Sequence, residues 1–158
     1  GGAATAICAQ AALDGVEAIH IFAREGSSHR QRMETLISEL GKITACKIEI
    51  QDIGNKQKLG EAIRESKLLV NATSVGMAPH TEECLIPDAS LLHQNLAVAD
   101  IIYNPWKTKL LTMAEKAGCT AFNGYSMLLW QGAEAFHIWT GQEMPVALVR
   151  EYLQKQHI

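Results

Sequence analysis

The sequence predicts an α/β fold: a doubly wound, mostly parallel sheet with helices on both faces. Two observations predict it. Short apolar or β-branched runs alternate with helix-length segments along all 158 residues. That spacing builds βαβ units, whose strands run parallel and whose helices cover the sheet. Finally, small or polar residues such as "NATSVG" and "YNP" follow directly on apolar runs. In a parallel sheet these positions lie at the carboxyl ends of the strands, where ligands bind.

The elements follow in order. Residues 4–13, "ATAICAQAAL", read as a small-residue helix suited to close packing on a sheet. "VEAIHIF" (16–22) reads as a strand, and "SHRQRMETLISEL" (28–40) as an amphipathic helix stopped by Gly41. "CKIEIQ" (46–51) alternates like a strand, and "NKQKLGEAIRES" (55–66) is a polar-faced helix opened by an Asn cap. "KLLVNA" (67–72) and "LAVADIIY" (96–103) are apolar strands. The helix "WKTKLLTMAEKAG" (106–118) and the short strand "CTAFN" (119–123) come next. Two helices close the chain: "SMLLWQGAEAFHIWT" (126–140) and "PVALVREYLQKQ" (145–156), the second with proline in its first turn. No repeat or flexible linker interrupts this order, so one domain over 1–158 is expected.

Composition excludes several classes. The net charge is −3 and the basic residues are scattered, unlike a nucleic-acid footprint. No apolar run approaches the roughly 20 residues of a membrane span. The four cysteines (Cys8, Cys46, Cys84, Cys119) form no C-x-x-C pair, which suits reduced thiols in a cytoplasmic protein. The six histidines make no metal-binding motif, so no metal is expected.

Candidate site residues sit where the predicted strands end. Gly1, Gly2 and Ala3 open the first helix, where bare backbone amides and the helix dipole favour a phosphate. A plain tight turn also uses glycine there. Ala23, Arg24 and Glu25 follow the second run; Arg24 suits a ribose 2′-phosphate and Glu25 a 2′-hydroxyl. A solvated ion pair would look the same. Asn71, Thr73, Ser74 and Gly76 follow "LLV" and offer either ligand bonds or a turn that closes the strand. Asp100 reads as a cap, and Tyr103 as a core tyrosine or a ligand contact.

Taken together, "GGAATA" (1–6), "NATSVGM" (71–77), "DIIYNPWKTKLL" (100–111) and "GYSMLLWQGAEAFHIWTG" (124–141) resemble the cofactor-binding domain of the shikimate/quinate dehydrogenases. The resemblance covers essentially the whole chain. It implies a Rossmann-like domain that binds NADP or NAD and a reversible hydride transfer between shikimate and 3-dehydroshikimate, a step towards chorismate and the aromatic amino acids. Quinate is a further substrate in the family. The resemblance also implies that a substrate domain and the first Rossmann strand precede Gly1 in a longer enzyme, with a homodimer as one assembly open to it. The lysine and aspartate that handle the proton lie in that domain. No catalytic residue is therefore assigned here, and the 158 residues alone are expected to be inactive.

Residue by residue, the resemblance makes Gly1, Gly2 and Ala3 the diphosphate loop. It places Ala23, Arg24 and Glu25 at the adenosine ribose and Thr73 and Ser74 along the cofactor cleft. Ile101, Tyr103 and Asn104 approach the nicotinamide end, with Tyr103 also near substrate. Gly124 leaves room for the nicotinamide ring. Gln131, read as a buried amide among apolar neighbours, becomes a contact to a substrate hydroxyl or carboxylate. Without the resemblance, a glutamine bonded to a loop carbonyl is the favoured reading, because most buried side-chain amides bond backbone or water. A non-catalytic nucleotide-binding module and a folate-type dehydrogenase are the rival classes. The "GYSMLLWQGAEAF" helix argues against both.

Overall fold

The structure, a computed structural model, describes residues 1–155, which divide into two compact units, Gly1–Ser66 and a second that begins at Lys67. The first unit contains α1 (Gly2–Leu13), β1 (Ala18–Ala23), α2 (Ser28–Ile43), β2 (Lys47–Asp52) and α3 (Lys56–Glu65). Strands β1 and β2 pair in parallel, with Ile19 opposite Ile48 and Ile21 opposite Ile50. These isoleucines are partly buried, while His20 and Glu49 between them are exposed and lie 3.8 Å apart. The period-two alternation thus sorts one apolar face from one polar face.

Capping sets the helix bounds. Ser27 Oγ accepts from the Arg30 amide at 3.2 Å to start α2, and Asn55 Oδ1 accepts from the Lys58 amide at 3.1 Å to start α3. The expected stop at Gly41 is corrected: α2 runs on to Ile43. Buried Leu40 anchors its last turn, and Thr44 ends it by donating both its amide (2.9 Å) and its hydroxyl (3.0 Å) to the Leu40 carbonyl. That packing and capping offset the roughly 1 kcal/mol that an interior glycine costs.

The second unit holds β3 (Leu68–Asn71), β4 (Ala97–Asp100), α4 (Lys109–Lys116), β5 (Thr120–Phe122), α5 (Tyr125–Thr140) and α6 (Val146–Lys155). Its strands are parallel in the order β3-β4-β5, with α4 packed against β4 and β5. Central β4 buries Val98, and Leu96, Ile102, Leu110, Leu111, Ala114 and Leu129 complete an apolar core. Helix α5 ends at Gly141, whose φ of +68° requires glycine-like freedom and whose amide returns to the His137 carbonyl at 2.8 Å. Helix α6 starts at Val146, one residue later than expected, so that Pro145 directly precedes it; Gln156 at its expected end lies outside the described residues.

Two further boundaries differ by three residues. The strand expected over 96–103 ends at Asp100, and the helix expected from Trp106 begins at Lys109. The eight residues between them, 101–108, form a loop that follows β4. Asp100 causes the first change: its carboxylate takes the Ile102 amide at 3.1 Å and turns the backbone out of the ladder. Thr108 causes the second by capping α4 through the Leu111 amide at 3.3 Å. Among the described residues, no helix is long and apolar enough to cross a membrane.

Candidate functional site

In the first unit, Gly1 is the N-cap of α1, while Gly2 and Ala3 are already helical rather than looped. No side chain caps this end, and nothing lies within 4 Å of where a Cβ on Gly1 or Gly2 would sit. Open amides at the positive end of a helix dipole suit an anion. At the end of β1, Ala23 is partly buried, and Arg24 and Glu25 are exposed without an ion pair between them.

A further cation stands one turn on. Arg30, in the first turn of α2, pairs its Nε with Glu34 Oε1 at 3.2 Å and donates Nη2 to the Ile50 carbonyl at 3.4 Å. Its Nη1 is buried without a partner. Gly26, Ser27, Ser28, Arg30, Gln31 and Glu34 line a shallow depression of about 320 Å³ here. The sequence reading stopped at Arg24. A cation just inside a helix that follows a strand-end loop was the available signal.

The second unit gathers its candidates around one buried carboxylate. Asp100 is 2% exposed, Thr108 is 1% exposed and Asn71 is 5% exposed. Asp100 Oδ1 accepts from Asn71 Nδ2 and from the Ile102 amide, each at 3.1 Å. Its Oδ2 accepts from Thr108 Oγ1 at 2.8 Å. Asn71 in turn accepts at Oδ1 from the Thr73 hydroxyl (2.7 Å) and amide (3.1 Å), and donates to the Val75 carbonyl at 3.1 Å. The turn-closing reading of Asn71 is therefore the observed one.

Thr73 and Ser74 lie exposed on the turn that Asn71 closes, and the Thr73 hydroxyl also accepts from the Val75 amide at 3.1 Å. Gly76, at φ +96°, is pressed against this cluster. A Cβ there would meet the Glu83 carbonyl at 3.3 Å and Thr108 Cβ at 3.7 Å. Beyond β4, Ile101 is partly buried, and Tyr103 and Asn104 are exposed. The Asn104 carbonyl accepts from the Ala78 amide at 3.4 Å, which ties the loop after β4 to the loop after β3. Burial pushes the Cys84 thiol above its ordinary value and Asp100 adds to the rise, against a backbone bond at Ile86 and the Lys109 ammonium. A neutral thiol is a poor nucleophile.

Gly124 has a reason that sequence reading did not supply. A Cβ on it would lie 1.8 Å from the Ile101 carbonyl oxygen, so glycine lets two backbones cross. Gln131 requires a correction: it is exposed on α5, not buried, and its amide makes no hydrogen bond within the described residues. Apolar neighbours in sequence misled because successive helical residues point to different sides. Leu129 faces the core while Trp130 and Gln131 face outward.

Residues 124–154 match the family model of the shikimate 5'-dehydrogenase C-terminal domain. Over 153 residues the chain is 48% identical to the shikimate dehydrogenase (NADP(+)) of Listeria monocytogenes, covering 97% of this chain and 52% of that protein. Over nearly its whole length the chain is similar to shikimate dehydrogenases. A second relative, the quinate/shikimate dehydrogenase of Escherichia coli, is 40% identical over 97% of this chain and 53% of its own length. The chain therefore spans about half the length of these relatives. The crystal structure of the Listeria monocytogenes shikimate 5-dehydrogenase in complex with shikimate and NAD aligns with a TM-score of 0.90 at 48% identity. That alignment covers 97% of this chain and 53% of the neighbour. Quinate dehydrogenase from Corynebacterium glutamicum, in complex with NAD, aligns at 0.79 with 26% identity over 98% and 52% of the two chains. The fold is the Rossmann-like α/β fold of these enzymes.

Proposed function

We propose that this chain is the cofactor-binding portion of a shikimate dehydrogenase that interconverts shikimate and 3-dehydroshikimate with NADP or NAD. The observation that carries the reading is the TM-score of 0.90, at 48% identity, to an enzyme crystallised with shikimate and NAD. A nicotinamide nucleotide, when bound, supplies the two-electron hydride chemistry. The open amino end of α1 suits its diphosphate: amides without capping side chains and glycines without obstructing neighbours meet there. Ala23, Arg24 and Glu25 receive the adenosine ribose. Thr73, Ser74, Ile101, Tyr103, Asn104 and Gly124 receive the nicotinamide end. Gln131 and Tyr103 reach substrate. The proton is handled by groups outside these 158 residues. The free state of all four thiols fits a reducing compartment such as the cytoplasm. Quinate as an additional substrate is favoured by the 40% identity to a quinate/shikimate dehydrogenase.

Two substitutions in the enzyme that contains this chain test the assignment. Arg24→Ala raises the KM for NADP at least about tenfold, since a charge-assisted bond to phosphate is worth roughly 1.5–3 kcal/mol, and barely changes that for NAD. Equal changes for the two cofactors remove Arg24 from the 2′ position.

Gln131→Leu lowers kcat/KM for shikimate by roughly two- to twelvefold, the loss of one neutral hydrogen bond, without weakening cofactor binding. Because Gln131 is exposed and bonds nothing within the described residues, the melting temperature stays within about 1 °C of the parent. Unchanged shikimate kinetics would withdraw its substrate role.

A further inference from the structure

The polar cluster of the second unit ties the paired ends of β3 and β4, where Asn71 and Asp100 are register partners, and the segments that follow them to the start of α4. One Asp100 oxygen holds the Asn71 amide and the Ile102 backbone; the other holds the Thr108 hydroxyl at 2.8 Å. Through these bonds the turn after β3, the loop after β4 and the start of α4 are fixed to one carboxylate. The first two pieces carry Thr73, Ser74, Tyr103 and Asn104. Thr108 is 1% exposed and reaches no ligand itself, so any influence it has passes through Asp100.

A carboxylate this deeply buried is costly, and apolar packing of equal volume often stabilises as well or better. Directional bonds also help to select one arrangement of the two loops, because each donor must sit within a narrow range of distance and angle. Gly76 adds a steric side to the same device: a Cβ on it would lie 3.7 Å from Thr108 Cβ and 3.9 Å from Ile102 Cδ1, so the turn after β3 passes close to the residue that anchors Asp100.

We propose that Thr108 is a positioning residue for the nicotinamide end of the site: its hydroxyl orients Asp100, and Asp100 sets the two loops in register. This rests on the cofactor-binding reading above. Three variants of the enzyme containing this chain separate it from plain stabilisation. Thr108→Val keeps the shape and removes the hydroxyl. Thr108→Ser keeps the hydroxyl. Ala114→Gly weakens α4 at a core position that makes no bond to Asp100. All are compared at a temperature where circular dichroism shows them folded. Thr108→Val should bind NADPH roughly tenfold more weakly and turn over roughly tenfold more slowly at saturating shikimate, since small misplacements at a reacting centre cost that much. It should bind ADP-ribose, which lacks the nicotinamide, as the parent does. Thr108→Ser should recover both losses, and Ala114→Gly should show neither. Parent-like behaviour of Thr108→Val, equal losses in Ala114→Gly, no recovery in Thr108→Ser, or weaker ADP-ribose binding would each overturn the proposal. Should Thr108→Val not fold, Thr108→Ala, which removes the same hydroxyl without a branched side chain, carries the same test, and a parent-like profile in it overturns the proposal. A parent enzyme that binds neither NADPH nor NADH overturns the cofactor reading, and this inference with it.

Discussion

Gly124→Ala destabilises the protein by about 3 kcal/mol or more, which is the upper range for forcing atoms into a packed site. The added Cβ would stand 1.8 Å from the Ile101 carbonyl oxygen and 2.2 Å from its carbon, and both are backbone atoms that no rotamer change can move aside. Retreat is blocked as well, because the Gly124 amide donates to the Ile102 carbonyl at 2.9 Å and ties the two segments together. Neighbouring contacts hold the same corner. Asn123 Nδ2 donates to the Trp106 carbonyl at 3.1 Å, and the Trp106 and Tyr125 rings lie 5.2 Å apart. Urea unfolding of parent and variant checks this, read as the change in midpoint at constant slope. A midpoint equal to the parent's would mean that the crossing of 101 and 124 is looser than this.

Asp100→Ala is the second large effect, at roughly 2–5 kcal/mol, because each buried donor left without a partner costs about 1–3 kcal/mol. Three donors lose an acceptor, but not equally. Asn71 Nδ2 keeps the Val75 carbonyl, whereas the Ile102 amide and the Thr108 hydroxyl donor lose the partner they have here. Asp100→Asn should cost clearly less, since its amide oxygen still accepts on one side and its NH₂ can donate to Thr108 Oγ1. Thermal unfolding of the two variants beside the parent reads the difference. If alanine and asparagine melted alike, the carboxylate would be contributing volume and not acceptors.

Much of this molecule was legible before any coordinates. Alternation of apolar runs with helix-length segments gave parallel strands and helices in the right order, because both periods, two and near 3.6, are written residue by residue. Asn55 and Pro145 placed helix starts for the same local reason. The motifs "NATSVGM", "DIIYNPWKTKLL" and "GYSMLLWQGAEAFHIWTG" carried the family, and with it the candidate residues. Gln131 was misplaced as buried, since a list of apolar neighbours does not say which side of the helix a residue faces. Gly41 was misplaced as a stop, since the last turn of α2 is held by buried Leu40 and by Thr44, and intrinsic propensity is weaker than packing.

What only the tertiary structure decided is concentrated in contacts between residues far apart in the chain. Asn71 and Asp100 are 29 positions apart, and Asp100 and Thr108 are eight apart; nothing local marks them as partners. Their bonds end β4 three residues early and delay α4 until Thr108 can cap it. Gly124 looked like a place for a ligand ring, and the structure gave it a second reason in the Ile101 backbone that crosses it. The sequence by itself determined the elements, their order and the residue types at the strand ends, because those follow from periodicity and local chemistry. Which polar groups satisfy one another was decided by three-dimensional proximity, because a buried donor binds whichever acceptor the fold brings to it.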